Sequence, residues 1–189
     1  MSTSDQTAVT GTPLGGAVGP KRGQVVGERY EVRGRLRDDP FSYGFLAFDQ
    51  ETEGSVFLRI VRPELLESTD RKQVVRDLRR SVGMGGKYLP GLLDADRDSM
   101  WVYATEPVPE GVSFRSVLDR RIPDDAPLAR EELLPVIAHL DAALTAIPPP
   151  LRHGDVRADA VWIDPERLQM TGAFLVPALP PGVVAAVLQ

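Results

Sequence analysis

From Gly23 onward the chain alternates apolar and polar residues in short runs. RYEVRGRLR (29–37), FSYGFLAFD (41–49) and SVFLRIV (55–61) are rich in aliphatic and aromatic residues and are separated by the turns DDP and ETEG. That pattern predicts an antiparallel meander. Pro63 then opens a helical stretch whose main part is TDRKQVVRDLRRSVGM (69–84), with Thr69 or Asp70 placed to cap it. Val74, Val75, Leu78 and Val82 give it one apolar stripe. YLPGLLDAD and SMWVYATEPV read as two more strands, which makes five in all. After PVPEG the period changes to that of helices. Residues 113–119 suit a short helix, and RIPDDAPLA is a loop. Leu133, Ile137, Leu140, Leu144 and Ile147 then recur at spacings of 4, 3, 4 and 3, the mark of a buried helical stripe over 131–147. Pro135 is expected in that helix's first turn, where a missing N–H is tolerated, and the prolines at 148–150 end it. VWID and LQMTG predict a small hairpin before a Pro- and Val-rich end.

Composition narrows the function classes. The first 22 residues hold Ser, Thr, Gly and Pro with little to bury, so they are expected to be a disordered tail. The remaining length suits one domain of one or two lobes. A net charge of -5 argues against nucleic acid or an anionic membrane as partner. The chain has no cysteine, which fits a reducing compartment and excludes thiolate metal sites, and two histidines are too few for a zinc site without them. There is no run of 18 apolar residues and no signal-like start, so the expectation is a cytoplasmic chain without membrane insertion, or the cytoplasmic part of something longer.

The order of elements is three strands, a helix, two strands, a break, helices, and a polar loop before a strand pair. In this order the chain resembles the protein kinase fold, and within it the bacterial Ser/Thr kinases of eukaryotic-like type. RYEVRGRL is similar to the first strand, and FLAFDQETEGSVFLRIVRPEL to the second and third. YATEPVPEGVSFRSVL resembles the gatekeeper, the hinge and the following helix, with Thr105 as gatekeeper and Glu106 to Val108 as hinge. HGDVRADAVWID resembles the catalytic loop. The resemblance implies an α+β fold, with a five-stranded antiparallel N-lobe carrying one helix over residues 23–107. A truncated, mainly helical C-lobe follows over 108–189. Such a domain has further helices after the activation segment. The chain is therefore expected to be a fragment, or its inner helix to need another partner.

Carried over residue by residue, the resemblance implies a degenerate site. Phosphoryl transfer asks a protein mainly for positioning and charge neutralisation. Where the family covers phosphate with glycines, this chain has Arg37, Asp39 and Ser42, with Pro40 stiffening a stretch that also reads as a plain hairpin turn. Arg59 stands at the strand lysine and Asp77 at the helix glutamate, an expected Arg–Asp pair. Read without the resemblance, they are an exposed strand arginine and an unrelated helix aspartate. Ala160 occupies the metal-binding asparagine position. Gly172, Ala173 and Phe174 replace Asp-Phe-Gly, so both magnesium ligands lack an oxygen. Asp159 and Asp164 lie nearby, but neighbouring loop residues point in different directions. Asp155 keeps the catalytic-base position and His153 precedes it; with the metal ligands gone, both are expected to organise the loop.

The expected function is a pseudokinase, inactive or nearly so, working as a signalling scaffold or regulatory binding domain. The alternative is a divergent Ser/Thr kinase or ATP-binding phosphotransferase completed by a missing segment. No cofactor is expected, and weak metal-independent ATP binding stays open. Protein partners are expected, among them a kinase or a phosphothreonine-reading domain acting on Thr3, Thr7, Thr10 and Thr12. The basic helix face of Arg71, Lys72, Arg76, Arg79 and Arg80 reads as a solvated surface that could also meet an acidic partner.

Overall fold

The computed structural model describes residues 19–86, 89–121, 127–147, 156–163, 168–172 and 174–187. The meander forms as its alternation predicts: β2 (Tyr30–Asp38), β3 (Ser42–Asp49) and β4 (Gly54–Val61) pair antiparallel in sequence order. β6 (Val102–Pro107) pairs with β4, and β5 (Asp94–Arg97) closes that edge. The sheet has six strands rather than five, because β1 (Val25–Val26) adds a short edge strand to β2. Most of YLPGLLDAD is not strand. Gly85 and Gly91 pack there backbone against backbone, where a Cβ on Gly85 would stand 2.4 Å from the Gly91 nitrogen.

The helix α1 (Arg71–Arg79) starts at Asp70, whose side chain accepts the Lys72 N–H at 2.9 Å. Val74, Val75 and Leu78 are buried, but Val82 is 38 % exposed. The helix ends before it, and Gly83 takes the left-handed conformation that turns the chain away.

The second part begins with β7 (Val112–Ser113), which joins β8 (Val161–Ile163) and β9 (Leu168–Met170) in a small antiparallel sheet. The expected hairpin is therefore present. α2 (Phe114–Arg121) follows β7, and α4 (Pro181–Val187) ends the described chain. α3 (Arg130–Thr145) corrects the expected stripe, because the packed side is Val136, Leu140, Ala143 and, just past the helix, Ile147, with Leu133 half-buried. Leu134, Ile137 and Leu144 are exposed. The helix has two apolar stripes, and periodicity alone could not tell which one the hairpin covers. Pro135 is the sixth residue of the helix, in its second turn rather than its first, and its missing N–H removes the usual i+4 donor to the Glu131 carbonyl.

One hydrophobic cluster runs from Phe41 through α1 and β9 to Phe174–Leu179; a second fills the other face of the large sheet, around Tyr30, Leu58 and Tyr103. Among the described residues no helix is long and apolar enough to cross a membrane.

Candidate functional site

Strand alternation sets the site. On β4, Val56, Leu58 and Ile60 face the second cluster, so Phe57, Arg59 and Val61 face the cleft between the two parts of the molecule. Arg59 pairs across the sheet with Gly44 on one side and Ala104 on the other. Gly44 in turn pairs with Arg37, which two register shifts in β2 keep in this row. A Cβ on Gly44 would stand 2.7 Å from both the Phe57 ring and the Arg37 carbonyl, so a side chain there would push the row apart.

Arg59 is 1 % exposed, and its head is held by carboxylates from two different elements. Nε donates to Glu106 at 2.9 Å, and Nη1 donates to Asp39 at 2.6 Å and to the Ser42 hydroxyl at 3.1 Å. The guanidinium also lies 4.6 Å from the centre of the Phe57 ring. Asp39 is itself organised by the turn. One of its oxygens accepts the N–H groups of Phe41 and Ser42 at 2.8 and 2.6 Å, and the other accepts the Ser42 hydroxyl at 2.7 Å. Burial alone would raise the Asp39 carboxyl, but the Arg59 charge and the Ser42 and Phe41 donors outweigh it and hold it below the ordinary carboxylate range. Burial likewise works against charged Arg59; Glu106 and Asp39 outweigh it and raise the guanidinium above its ordinary value.

Glu106 reaches further. Its carboxylate accepts the Gly172 N–H at 3.1 and 3.2 Å, tying the large sheet to the segment after β9. Gly172 has φ +80°, and a Cβ there would stand 3.0 Å from Arg59 Nη2. The Ala160 carbonyl, on a residue 1 % exposed, accepts the Thr171 N–H at 2.9 Å, so the two expected metal-ligand positions lie close together, with Gly172 beside the Arg59 head. Magnesium wants oxygen ligands. Alanine and glycine offer no side-chain oxygen, and the guanidinium crowds the space an aspartate at 172 would need. These residues do not fit the metal. Among the described residues no group of three metal-ligating side chains occurs.

Arg37 completes the cluster. It stacks 6.0 Å from the Phe57 ring and makes a long 3.5 Å contact to the Thr171 hydroxyl. Its Nε and Nη1, like Arg59 Nη2, are buried without a protein partner. Burial and then repulsion from Arg59 push its guanidinium down to about 10, with Asp159, Asp39 and Glu106 acting the other way. Two guanidinium groups and two carboxylates thus fill the cleft and balance one another. A cavity of about 370 Å³ is lined by Arg115 of α2 and by Arg157, Ala158 and Asp159, none of which bonds the two guanidinium groups.

Several expected roles change on this geometry. Asp77 does not meet Arg59: it accepts from Gln73 at 2.7 Å and Arg80 at 2.8 Å, because α1 turns Val74, Val75 and Leu78 to the core and leaves Asp77 on its flank. Nor is Thr105 the cleft-facing residue of β6. It is fully buried and, by alternation, shares the other face with Tyr103, while Glu106 takes the cleft face. Val108 follows the strand and is half-buried. Asp38, the neighbour of Asp39, pairs with Arg35 at the surface, so of the two adjacent carboxylates only Asp39 turns into the cleft. His153, Asp155, Asp164 and Ala173 lie outside the described residues. The sequence reading missed the inward roles of Asp39, Arg37 and Glu106. Its one available signal was Asp39-Pro40-Phe41-Ser42, the pattern of an aspartate that bonds its own turn.

No family model matches this chain, and no curated protein matches it. Solved structures do. A crystal structure of the PknI kinase domain of Mycobacterium tuberculosis superposes with a TM-score of 0.71 at 15% identity, covering 89% of this chain and 68% of that one. A single-site variant of the same domain gives 0.73 at 15% identity, covering 84% of this chain and 64% of that one. A double variant gives 0.72 at 16% identity, covering 83% and 64%. The chain thus spans about two thirds of the solved domains that it matches. With the sheet, the single helix packed on it and the hairpin below the cleft, this likeness establishes that the chain has a protein kinase-like fold.

Proposed function

We propose that this chain is a pseudokinase module: it uses the kinase-like fold as a signalling scaffold or regulatory binding domain and transfers no phosphate. One observation carries this reading. The residue at the phosphate-contacting position, Arg59, is used internally by Asp39 and Glu106, and its head is pressed against Gly172. A nucleotide phosphate would have to displace buried, paired carboxylates to reach it, and magnesium would find neither of its side-chain ligands. Guanidinium also differs from ammonium in needing several fixed partners, which this cluster supplies. In this reading the module acts through protein partners, such as a kinase or a phosphothreonine-reading domain engaging the N-terminal threonines, in the reducing cytoplasm.

The test is a thermal-shift titration with ATP, alone and with Mg²⁺ or Mn²⁺. A ligand at 100 times its Kd stabilises by about 2.7 kcal/mol, which moves the midpoint by several degrees in a domain of this size. No shift is expected in any condition. A metal-dependent shift, together with phosphoryl transfer that Asp155→Asn abolishes, would establish the divergent phosphotransferase instead.

A further inference from the structure

The outer flank of α1 holds four cations, Lys72, Arg76, Arg79 and Arg80, within about 100° of arc on a helix of 3.6 residues per turn. The opposite side of the helix is the apolar stripe buried on the sheet. Two of the four are tethered: Arg79 donates to the Ala95 carbonyl at 2.9 Å and pairs with Asp96 at 2.5 Å, and Arg80 pairs with Asp77 at 2.8 Å. Lys72 and Arg76 are exposed and one turn apart, and among the described residues neither side chain has a hydrogen-bond or ion-pair partner. Like charges at this spacing repel. The chain carries 27 acidic residues against 22 basic ones, yet it sets none of the described carboxylates against these two.

Beyond the last turn of the helix the surface turns apolar. Val82 is 38 %, Met84 40 % and Leu93 52 % exposed. They sit together because Val82 bridges Leu92 and the Gly83 N–H donates to the Leu92 carbonyl at 2.9 Å. A row of cations, two of them unpaired, that ends in three exposed aliphatic side chains complements an acidic segment bearing aliphatic residues. From this charge complementarity we infer that the outer flank of α1 is a docking surface for an acidic, leucine- or isoleucine-containing segment of a partner protein. Nucleic acid fits less well, since it gains little from the aliphatic trio, and an anionic membrane fits less well because Asp96 and Asp77 pair two of the four cations and leave only two free charges to meet a bilayer. The inference rests on the scaffold reading, and it names the surface by which such a module would act, on the side of α1 away from the cleft.

The experiment is fluorescence-anisotropy titration of a labelled peptide of Glu-Glu-Leu repeats with the full chain at 50 and 300 mM salt. A Lys-Lys-Leu peptide, a DNA duplex and phosphatidylserine vesicles serve as competing probes. Binding of the Glu-Glu-Leu peptide is expected, weaker by tenfold or more at high salt. It should fall at least tenfold further in K72E/R76E, and severalfold in M84S with the salt dependence unchanged. R120E, a charge reversal on α2, should leave it as it was. Circular dichroism of each variant reports whether it folds. The inference is overturned by no binding at 50 mM salt, by equal loss in R120E, by full binding in a folded K72E/R76E, or by tighter binding of DNA or vesicles. ATP binding in the thermal-shift test would instead sink the inactive-site reading and leave the peptide result standing.

Discussion

Asp39 shows what a single side chain contributes in this protein. It closes its own turn through two backbone N–H groups and a hydroxyl, and it supplies one of the two carboxylates that keep Arg59 charged in the interior. Removing one partner of a buried ion pair leaves an uncompensated charge, which costs about 3–5 kcal/mol. Asp39→Ala is therefore expected to lose that much in urea unfolding, far more than the surface pair Arg35–Asp38, whose removal should stay within about 1 kcal/mol. The same residue sets an acid limb. Its folded value lies below its unfolded one, so its contribution is full above about pH 4 and is lost as the pH falls through the lower folded value. Asp49, held down chiefly by its hydrogen bond from Arg29, acts in the same direction. Stability measured from pH 6 to pH 2 should fall, and the fall should be shallower in Asp39→Ala. An unchanged acid limb would mean that Asp39 does not carry it.

At the scale of elements, α3 contrasts with the hairpin it covers. Its inner side packs on β9, where Met170 is fully buried, while Ile137 on its outer side is 56 % exposed. Truncating a fully buried methionine costs about 2–5 kcal/mol, whereas an exposed substitution stays within about 0.5 kcal/mol. Met170→Ala should thus shift the urea midpoint strongly. Ile137→Lys should leave it in place while reducing self-association in sedimentation runs, because a contiguous apolar helix face favours contact between copies. If Ile137→Lys destabilises as much as Met170→Ala, the outer stripe is packed in solution. Both stripes were visible in the sequence as apolar residues three and four apart. Choosing between them required knowing where the β8–β9 hairpin sits, which is a tertiary fact.

For the molecule as a whole, the cleft is where its two parts are joined. Glu106 on the large sheet holds the Gly172 N–H, Arg37 reaches Thr171, and Phe41 from the turn packs into the cluster that continues through Phe174. The filled cleft is thus a structural joint. The double substitution Ala160→Asn with Gly172→Asp puts side-chain oxygens at the two positions where the kinase resemblance implies metal ligands, yet it is not expected to create a magnesium-dependent thermal shift. The aspartate at 172 would meet Arg59 Nη2 and sit in a left-handed conformation that costs a residue with a Cβ about 1–3 kcal/mol. Loss of stability without metal binding is the expected result. A stabilising Mg²⁺ response would mean that the joint opens readily.

What the sequence determined by itself was local. Alternation set the meander and the β8–β9 hairpin, Thr69 or Asp70 marked the start of α1, and a few identities, Ala160 and Gly172 above all, put residues without a side-chain oxygen where the kinase resemblance implies metal ligands. These are one-dimensional properties, fixed by period, by turn chemistry or by the absence of an oxygen atom. What only the tertiary structure decided was pairing. A charge on a strand does not name its partner. The kinase resemblance pointed to Asp77 as the anion for Arg59 and nothing along the chain pointed to Asp39, while Thr105 and Glu106 differ by one step in a period of two. The choice depends on which face of β6 turns to the cleft and how far the Asp39 turn folds inward, and both follow from burying the rest of the sheet.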